Sequence, residues 1–589
     1  MRVCASYGSV PDRLADADMH ELRLDVFDVL PPDLDRDCIG TLAGKDISAV
    51  PAGFEGMVDV GDSDAEIPFR KIRSVHDFEK TPSEEVLRRT LETGDQELSK
   101  FACMVRSFSD LHTIYKAATS VGRKHLVLGM GEMGTVTRIR QGILGNDVSF
   151  GYVGRRTASG QLSAEEMKAL GDDCAVVGIT GNPLGHTLSP VMQGAAMRDK
   201  GINGIYLKFE SPDLAHVDDV IREYDIRGMN VTIPYKRAVM EYLDELSPLA
   251  ERMGNVNTIT RLSDGRLRGD NTDYFGFQCL VEELGAEAAG KKALVLGATG
   301  GAGTTASMVL GDLGAIVAPV GRTSEVNYDN IAQQSDAALL VNCTPAGMFP
   351  HCPAAPCTLE GLDALEGVID IVYNPARTGL MLAAERRGIP CIGGLLMLVA
   401  QAAQAVERYT GQVTPRERIL DVTERLSRRE QNIALIGMPG SGKTRVGEQI
   451  ALLTGREHID LDRALEERLG MPCADYIVER GEVAFREQET AALADISQRR
   501  GLVLSPGGGV VTRDENYPLL HQNSQIVMLN RKLDELAHKG RPITARDGIE
   551  KLAEQRMPRY RAWADHTIDS RDCAANTARA ALDTLPPAL

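Results

Sequence analysis

Three features are scarce or missing in this sequence. No apolar run approaches the ~20 residues that a membrane span requires, so we expect no membrane-embedded part. The 11 cysteines are scattered without a C-x-x-C pair, which is typical of reduced thiols and gives no metal-binding framework. Positive charge is also short, with 65 Lys and Arg against 83 Asp and Glu and a net charge of −18. We therefore expect neither nucleic acid nor an acidic membrane as a partner.

The chain is long for one hydrophobic core. At 589 residues it predicts three or four domains, because one domain usually takes roughly 100–200 residues. We divide it into an N-terminal segment (1–170), a middle segment (173–426) and a C-terminal segment (430–589), with the charged stretch Glu424–Asn432 as linker. The chain opens directly into a predicted strand rather than a signal peptide, so we expect a cytoplasmic protein. Its partners should be small-molecule substrates, and a homo-oligomer is left open.

Short apolar runs in the N-terminal segment predict a reduced (β/α)8 barrel in an α/β protein, with its chemistry at the C-terminal strand ends. The eight runs are Val3–Tyr7, Glu21–Phe27, Ile39–Ala43, Gly56–Val60, Lys71–Val75, Phe101–Val105, His125–Gly129 and Val148–Val153. A lysine in an apolar barrel mouth loses its proton readily, so Lys100 could attack a ketone and form an imine. His76 could then remove the proton that the imine makes acidic.

The contexts of these residues, S-V-H-D-F-E-K-T-P and K-F-A-C-M-V-R-S, resemble type I 3-dehydroquinate dehydratase. The resemblance implies that Lys100 is the Schiff-base lysine and His76 the general acid/base. It also implies a set of residues that bind the substrate carboxylate and hydroxyls: Glu21, Arg23, Arg138, Thr157 and Gln161. Two positions depart from the family, since Gly61 replaces the glutamate that orients the histidine and Ala43 replaces an arginine. We expect an active dehydratase, and the alternative is a weak or structural barrel.

The middle segment carries the motifs N-V-T-I-P-Y-K (230–236), G-N-V-N-T (254–258) and D-N-T-D (270–273). A lysine and an aspartate at the ends of apolar runs, beside amides and hydroxyls, suit a proton donor and its partner on a polyhydroxylated substrate. The loop G-N-P-L-G-H-T-L-S-P can present Thr187 and Ser189 near a helix N-terminus. Together these motifs resemble shikimate dehydrogenase, and a quinate-accepting relative is the alternative. The resemblance implies that Lys236 and Asp273 manage the proton. It implies a substrate set of Thr187, Ser189, Asn230, Thr232, Asn257, Tyr373 and Gln401.

A glycine-rich turn follows a strand in K-A-L-V-L-G-A-T-G-G-A-G (292–303) and precedes a predicted helix. This arrangement is typical of a Rossmann-type dinucleotide site, where the turn glycines, here Gly297, Gly300 and Gly301, let the backbone approach a pyrophosphate. The next strand ends at Arg322 and Thr323, and an arginine there suits the 2′-phosphate of NADPH. By the resemblance Met397 lines the nicotinamide side. We expect a substrate part at about 173–285, an NADP part at about 288–390, and C-terminal helices that return to the substrate part.

The C-terminal segment opens on a strand and a complete G-x-x-x-x-G-K-T loop, G-M-P-G-S-G-K-T (437–444). Such a loop binds ATP phosphates through its backbone, a lysine and Mg²⁺. The residues are Gly437, Gly440, Ser441, Gly442, Lys443 and Thr444, the last as a Mg²⁺ ligand.

Five further motifs resemble P-loop shikimate kinase: I-D-L-D-R, R-G-E-V-A-F-R-E-Q-E, P-G-G-G-V-V, G-R-P-I and Q-R-M-P-R-Y. The resemblance implies that Asp460 supports Mg²⁺ through water and Asp462 orients the attacking hydroxyl. Arg541, in a short lid between 531 and 541, would stabilise charge on the transferring phosphoryl group. The shikimate carboxylate and ring would be bound by Arg486, Gly508 and Arg556.

The three implied reactions are consecutive. They are dehydration of 3-dehydroquinate, NADPH reduction of 3-dehydroshikimate and phosphorylation of shikimate by ATP. The sequence therefore predicts a trifunctional enzyme. One alternative is a dehydrogenase–kinase with an inert barrel, and another is a nucleotide-dependent regulator that binds pathway intermediates, against which Lys236, Asp273 and Asp462 argue.

Overall fold

The computed structural model describes residues 1–7, 11, 13–24, 30–31, 34, 37–156, 159–185, 187–536, 548–570 and 573–585. They form an α/β protein of two compact units. Unit 1 comprises Met1–Thr272 and Ala402–Val413, and unit 2 comprises Asp273–Gln401 and Thr414–Leu589. Among the helices described, none combines the length and apolarity needed to cross a bilayer.

The first sheet of unit 1 is a nearly closed parallel barrel, so the fold prediction for the N-terminal segment is confirmed. Its eight strands run in the order β7-β6-β5-β4-β3-β2-β1-β8. They are β1 Val3–Tyr7, β2 Met19–Arg23, β3 Cys38–Thr41, β4 Met57–Asp59, β5 Arg70–Asp77, β6 Leu98–Met104, β7 His125–Met130 and β8 Ser149–Val153. The α-helices are α1 Glu84–Glu92, α2 Phe108–Ser120, α3 Thr135–Ile139 and α4 Ala164–Leu170. The first of them follows β5, as the short early connections predicted.

The second strand begins earlier than its apolar run indicated. The run starts at Glu21, whereas pairing with β1 begins with Cys4 opposite Met19. Asp18 accepts a hydrogen bond from the Val3 amide at 2.8 Å and so aligns the two strands before the apolar residues start. Register against the neighbouring strand, rather than apolarity, sets this boundary.

The second sheet of unit 1 is mixed and has the order β10-β9-β11-β13-β14-β12. Its strands are β9 Ala175–Thr180, β10 Gly204–Phe209, β11 Ile226–Val231, β12 Glu245–Leu246, β13 Thr258–Arg261 and β14 Leu267–Asp270. Its helices are α5 Ser189–Asp199, α6 Val217–Glu223 and α7 Pro248–Met253. Because β9 and β11 are parallel neighbours, the loops that follow them leave from the same edge. Thr232 donates its amide to the Thr180 carbonyl at 2.9 Å, which joins the two loops at their base.

The barrel and the second sheet share one hydrophobic core within unit 1. Phe108 of α2 stacks on Phe209 of β10 with ring centroids 6.0 Å apart. The Tyr224 hydroxyl, just after α6, donates to the Leu111 carbonyl at 2.8 Å. Arg140, which is 4% exposed, donates to the backbone carbonyls of Tyr224, Asp172, Cys174 and Asp225 at 2.8–3.1 Å.

The first sheet of unit 2 is parallel and five-stranded, in the order β16-β15-β17-β18-β19. Its strands are β15 Lys292–Leu296, β16 Ile316–Val320, β17 Ala337–Asn342, β18 Gly367–Asp370 and β19 Cys391–Gly393. The accompanying helices are α8 Asp273–Leu284, α9 Gly301–Asp312, α10 Gly379–Arg386, α11 Leu395–Thr410 and α12 Arg416–Glu430. The chain passes into unit 1 within α11. The interior strand β15, which lies between β16 and β17, feeds the glycine-rich turn, as a Rossmann-type sheet requires.

The second sheet of unit 2 has the order β21-β22-β20-β23-β24. Its strands are β20 Asn432–Ile436, β21 His458–Asp460, β22 Val503–Ser505, β23 Ser524–Asn530 and β24 His566–Asp569. Its helices are α13 Lys443–Thr454, α14 Leu461–Leu469, α15 Cys473–Arg480, α16 Glu482–Ile496, α17 Asn516–His521, α18 Ile549–Trp563 and α19 Ala574–Asp583. Arg377 connects this layer to the preceding sheet by donating to the His521 and Ser524 carbonyls, both at 2.8 Å.

The stretch that we expected to be a linker is mostly helical. Helix α12 continues to Glu430, and β20 begins at Asn432 after the single residue Gln431. Leu426 is fully buried on the inner face of α12 and Arg428 is buried with it, while Glu424 and Arg429 are exposed on the outer face. The high charge of this stretch therefore marks the outer face of an amphipathic helix rather than a flexible connector.

Candidate active sites

Lys100 points into the barrel between two carboxylates. Its Nζ lies 3.4 Å from Asp59 Oδ2, 3.7 Å from Glu21 Oε1 and 4.4 Å from the centre of the Phe150 ring. Burial lowers the pKa of Lys100, but the two carboxylates outweigh it and the pKa rises above its ordinary value. Our expectation that the apolar barrel mouth makes this lysine easy to deprotonate is therefore wrong for the protein without substrate.

A network fixes both carboxylates. Asp59 accepts from the Ser74 hydroxyl at 2.5 Å, and Glu21 accepts from the Thr41 hydroxyl at 2.8 Å and from the Ser6 hydroxyl. Asp59 is 1% exposed. The contact of Asp59 with Lys100 was not predicted from the sequence. A carboxylate at the end of the buried strand β4 could have indicated it. The ammonium is thus held by groups that themselves cannot move freely.

His76 lies on the strand next to Lys100 and nearer the barrel mouth. The register places Ser74 opposite Lys100, so His76 is two residues further along the same face. Its ring stacks on Phe78 with centroids 5.8 Å apart. The side chain is accessible to solvent, yet the surrounding protein desolvates it and, with the Lys100 ammonium, lowers the pKa of His76. A neutral imidazole is the form that can accept a proton.

The two positions that depart from the resembled pattern, Gly61 and Ala43, have charged neighbours in the chain that are engaged by other groups. A side chain at Gly61 would meet open space. The next carboxylate, Asp62, is turned toward Arg73 and accepts from its guanidinium at 2.7 Å. Near Ala43, the Lys45 ammonium donates to the Leu24 carbonyl at 3.2 Å. Neither Asp62 nor Lys45 therefore substitutes for the missing family residue.

The other predicted barrel residues differ in burial. Arg138 and Gln161 are buried, and burial lowers the pKa of Arg138 to about 10, so its guanidinium stays charged at neutral pH. The Nε atom of Arg138 is buried without a hydrogen-bond partner, which leaves a donor for an anionic ligand. Arg23 is exposed at the end of β2. Thr157 lies outside the described residues.

Asn230 and Asn257, predicted to bind substrate in the middle segment, sit in a buried polar network. The Asn230 carbonyl oxygen accepts from the Tyr206 hydroxyl at 2.8 Å and from the Gln193 amide at 3.1 Å. The Asn257 carbonyl oxygen accepts from the Thr272 amide at 2.8 Å, and its own amide donates to the Thr272 hydroxyl at 3.1 Å. Tyr206, Gln193 and Thr272 were not predicted. They fix the orientation of the two amides, and the substrate contacts predicted for Asn230 and Asn257 stay predictions.

Two hydroxyls meet at the start of α5. The Thr187 hydroxyl donates to the Ser189 hydroxyl at 3.0 Å and accepts from the Ser189 amide at 3.2 Å. Thr232 and Lys236 follow β11 on the same sheet edge and are half-buried. Lys236 belongs to unit 1, whereas Asp273 begins α8 in unit 2. Their cooperation in proton transfer stays a prediction.

The glycine-rich turn of unit 2 fits a dinucleotide pyrophosphate. Gly297 has φ +73°, and a side chain at Gly303 would approach the Gly297 carbonyl oxygen to 2.1 Å, so turn and helix pack without side chains. The space in front of Gly301 is open. Gly300 is the N-cap of α9, so the helix dipole favours an anion there. Arg322 and Thr323 are exposed just after β16.

Three further predicted residues lie in unit 2. Tyr373 lines a cavity of about 600 Å³ together with Gly393 and Arg428. Met397 packs against α8, because a side chain at Gly276 would lie 2.7 Å from the Met397 carbonyl oxygen. Gln401 is the last residue of unit 2 before the chain enters unit 1 at Ala402. Its side-chain amide donates to the Leu398 carbonyl at 2.8 Å. The predicted roles of these residues toward substrate and nicotinamide stay predictions.

The P-loop of the C-terminal segment lies on a cavity of about 880 Å³. Lys443 Nζ donates to the Gly437 and Met438 carbonyls at 2.9 and 3.3 Å. The Ser441 hydroxyl oxygen is buried without a hydrogen-bond partner, as expected of a donor intended for a phosphate. The Thr444 hydroxyl donates to Asp460 at 2.5 Å, which places together the two oxygens predicted to support Mg²⁺.

Asp462 lines the same cavity. It is accessible from the cavity but surrounded by protein on its other sides, and this desolvation raises its pKa to about 6, helped by the Glu489 and Asp460 carboxylates. A side chain at Gly507 would lie 2.8 Å from Asp462 and 2.6 Å from Glu489, so the glycine run is required for the carboxylates to approach. Sequence reasoning missed Glu489, although it closes the motif that begins at Arg480.

Two arginines, Arg486 and Arg556, line the same cavity. Arg486 Nη1 donates to Glu489 at 2.8 Å, and a side chain at Gly509 would collide with the Arg486 guanidinium. Burial lowers the pKa of Arg486, but Glu489 outweighs it and the pKa is raised. Arg556 donates to the Gly508 carbonyl at 3.1 Å. The predicted lid residue Arg541 lies outside the described residues.

Comparison with known families gives three matches along the chain. The family models for type I 3-dehydroquinase, for the shikimate dehydrogenase substrate binding domain and for shikimate kinase match residues 60–171, 179–259 and 439–586. The second and third matches lie within the middle and C-terminal segments, and the first ends one residue beyond the N-terminal segment.

Curated relatives agree with these matches. The bifunctional 3-dehydroquinate dehydratase/shikimate dehydrogenase of Arabidopsis thaliana chloroplasts is 30% identical over 391 residues, which are 59% of this chain and 64% of that protein. The NADP(+) shikimate dehydrogenase of Methanopyrus kandleri is 37% identical over 270 residues, 41% of this chain and 92% of its own. The same enzyme of Symbiobacterium thermophilum is 37% identical over 267 residues, 41% and 90% respectively.

Proposed function

Because the chain belongs to the shikimate dehydrogenase family and also carries type I 3-dehydroquinase and shikimate kinase modules, we propose that it catalyses three consecutive reactions. These convert 3-dehydroquinate to 3-dehydroshikimate, then to shikimate, then to shikimate 3-phosphate. The observation that carries the proposal is the presence on one chain of three modules in which each product is the next module's substrate. The proposed domain limits are 1–170, 173–426 and 430–589.

In the barrel, Lys100 attacks the substrate ketone as a neutral amine and His76 accepts the proton next to the resulting imine. Asp59 and Glu21 hold the ammonium in place before substrate arrives and can receive its proton when the amine reacts. The unpartnered guanidinium nitrogen of Arg138 is suited to the substrate carboxylate. Imine formation expels water, and hydrolysis later returns the lysine.

In the middle segment, Lys236 and Asp273 manage the proton at the ketone oxygen, while Thr187, Ser189, Asn230 and Asn257 shape the hydroxyl-binding surface. NADPH supplies the hydride when bound. Its pyrophosphate would lie over Gly301, and its 2′-phosphate would lie beside Arg322, which is exposed and close to Tyr328. The preference for NADPH over NADH rests on this arginine.

In the C-terminal segment, ATP phosphates would be held by the P-loop and Lys443, and Mg²⁺ by Thr444 and Asp460. Asp462 accepts a hydrogen bond from the attacking hydroxyl and thereby directs it. Arg486 and Arg556 bind the shikimate carboxylate. We also propose a cytoplasmic location, since scattered cysteines without a C-x-x-C pair are typical of reduced thiols.

The test is a stepwise assay of the purified chain. With 3-dehydroquinate alone, we expect the ultraviolet absorbance of the conjugated enone product. NADPH oxidation should then require 3-dehydroquinate or its product, and ADP release should require all earlier reagents. ADP release from shikimate and ATP alone, without NADPH, is the control that isolates the kinase. Failure of any one step while the other two proceed would limit the proposal to the remaining activities.

One observation favours the alternative of a bifunctional enzyme with an inert barrel. The space at Gly61 is open, and no carboxylate from Asp62 replaces the missing glutamate beside His76. Borohydride treatment in the presence of 3-dehydroquinate decides between the two. A mass adduct on the peptide that contains Lys100 together with enone formation supports the trifunctional enzyme. Absence of both, with normal reductase and kinase rates, establishes the inert barrel.

A further inference from the structure

Two histidines and two carboxylates meet within unit 1, away from the sites described above. His112 lies on α2 of the barrel, while His216, Asp219 and Glu223 lie on or next to α6 of the middle segment. The two imidazole rings are stacked, with centroids 4.2 Å apart and planes inclined by 6°. One ligand atom each of His112, His216 and Asp219 lies within 4.8 Å of the others.

The three residues of the middle segment are spaced to share one helix face. Positions 216, 219 and 223 follow the i, i+3, i+7 pattern, which places side chains above one another. His216 is the N-cap of α6 and has φ +64°, in the left-handed region that non-glycine residues seldom adopt. This backbone conformation brings its ring against His112 rather than along the helix.

The donors and acceptors of the cluster are incompletely paired. His112 Nδ1 lies 2.9 Å from Glu223 Oε1, yet Nδ1 of His112 and Oε2 of Glu223 are both buried atoms without an aligned hydrogen-bond partner. His216 Nδ1 lies 2.8 Å from Asp219 Oδ2, and His112 Nδ1 lies 4.0 Å from that same oxygen. Three potential ligand atoms, of His112, His216 and Asp219, thus lie within 4.8 Å of one another, and Glu223 adds a carboxylate beside His112.

These separations match a four-coordinate metal. Zinc binds imidazole nitrogen and carboxylate oxygen at about 2.0–2.2 Å, so tetrahedral ligands are separated by roughly 3.3 Å. The observed separations of 2.8, 2.9 and 4.0 Å lie on both sides of that value. Because the two imidazole rings are parallel and stacked, their in-plane Nδ1 lone pairs converge on one ion only after the rings rotate about their side-chain bonds and leave the stack.

We propose that His112, His216, Asp219 and Glu223 form a binding site for a divalent transition-metal ion such as Zn²⁺. Imidazole with carboxylate is a ligand set that suits Zn²⁺, whereas Mg²⁺ prefers oxygen ligands and water. With four protein ligands the site is closed, which is typical of a structural rather than a catalytic zinc.

The charges around the cluster favour a cation. Asp218 is engaged by Arg222 at 2.8 Å, so the Arg222 guanidinium is directed toward Asp218 rather than toward the four proposed ligands. Two carboxylates and two neutral imidazoles would leave a bound divalent ion fully neutralised.

A metal here would join the barrel to the substrate-binding part of the middle segment. His112 comes from one module and the other three ligands from the next, so the ion would cross-link α2 to α6. Binding to the folded protein only stabilises the folded state by mass action. This site does not touch the residues proposed for any of the three reactions, so its test is independent of the proposed function.

The test uses the full chain without an affinity tag, stripped with a chelator and dialysed against equimolar ZnSO₄ in a Mg²⁺ buffer. Metal content is measured by mass spectrometry for the wild type, His112→Asn, His216→Asn and, as a matched exposed histidine, His351→Asn. We expect one equivalent of zinc in the wild type and His351→Asn, and its loss in the other two. Reductase and kinase rates of the variants show whether they have folded.

A second readout identifies the ligands. Co²⁺ in place of Zn²⁺ should give the visible absorption of a tetrahedral site in the wild type, and Asp219→Asn should alter the spectrum. No zinc in the wild type would overturn the proposal. Equal zinc in the wild type, His112→Asn and His216→Asn would overturn it as well, because the ion would then be bound elsewhere.

Discussion

The Lys100 ammonium lies 3.4 Å from the Asp59 carboxylate, inside a barrel where its proposed chemistry requires a neutral amine. The structure thus stores the lysine in its charged form and supplies, 3.4 Å away, a group able to take the proton. Ser74 holds that carboxylate at 2.5 Å, so its position does not depend on substrate. The consequence is a pH dependence that a change at Asp59 should move.

Asp59→Asn should shift the pH profile of imine formation to lower pH. Asp59 is the first of the charges that raise the pKa of Lys100, so its removal lowers the pKa and increases the neutral fraction of the amine at a given pH. The rate of borohydride-trapped adduct against pH measures this. Asp62→Asn, which removes an exposed carboxylate paired with half-buried Arg73, should leave the profile in place. A profile that stays in place in Asp59→Asn, or moves to higher pH, contradicts the assignment.

Arg140→Leu should destabilise unit 1 by roughly 2–5 kcal/mol, since it leaves buried backbone carbonyls without their donor. Burial lowers the pKa of Arg140, so its charge is desolvated, and the hydrogen bonds to those carbonyls take the place of hydration. Hydrogen exchange of peptides from α2 and β11 measures the effect. Arg88→Leu, at an exposed helix pair, should change stability by no more than about 0.5 kcal/mol.

The single tryptophan gives this experiment an internal control. Trp563 lies in unit 2, so its fluorescence transition in urea should be the same in Arg140→Leu as in the wild type. The tryptophan transition and the exchange protection can each be converted to a change in the free energy of unfolding. Equal changes from the two measurements would show that Arg140 acts on the whole chain rather than on unit 1.

Arg322→Ser should reduce kcat/KM for NADPH by about 10- to 100-fold and leave that for NADH almost unchanged. A charge-assisted hydrogen bond to a phosphate contributes roughly 1.5–3 kcal/mol. NADH has no 2′-phosphate and does not make this hydrogen bond, so its kcat/KM should not depend on Arg322. Initial rates of 3-dehydroshikimate reduction with each cofactor give the ratio. Equal losses with both cofactors would assign Arg322 a structural role instead.

The parts of the fold that follow from local pattern were predictable from the sequence. The eight barrel strands and the P-loop are each contained in fewer than ten consecutive residues, where apolar runs and glycine spacing determine the backbone. The predicted Rossmann-type turn also agrees with the structure, for the same reason.

Relationships between distant residues were not predictable in this way. Asp59 and Lys100 meet only because β4, β5 and β6 pair in one register, and His112 meets His216 only because two modules share a core. The charged end of α12 was mistaken for a linker, since charge alone does not distinguish an exposed helix face from a connector. Tyr206 and Gln193 carry no motif, and their role depends on where Asn230 points.

Kinase activity should fall below about pH 6 in a step that reductase activity does not share. The pKa of Asp462 is raised to about 6 by desolvation and by the Glu489 and Asp460 carboxylates. A carboxyl with a raised pKa takes up its proton at higher pH than usual, so below pH 6 it can no longer accept a hydrogen bond from the attacking hydroxyl. Phosphorylation of shikimate and reduction of 3-dehydroshikimate are measured on the same chain between pH 5 and 8, which controls for unfolding.

Asp462→Asn tests the same carboxylate directly. We expect kcat for phosphorylation to fall by about 10² to 10⁴, the usual contribution of a positioned acid/base group, with little change in KM for ATP. The activity that remains in the variant should no longer decrease near pH 6, because asparagine does not titrate there. Asp475→Asn, an exposed carboxylate on α15, should keep both the rate and the pH profile of the wild type. If Asp462→Asn retains the acid limb, another group of the cavity carries the proton, and Glu489, which would lie beside any side chain at Gly507, is the next to replace.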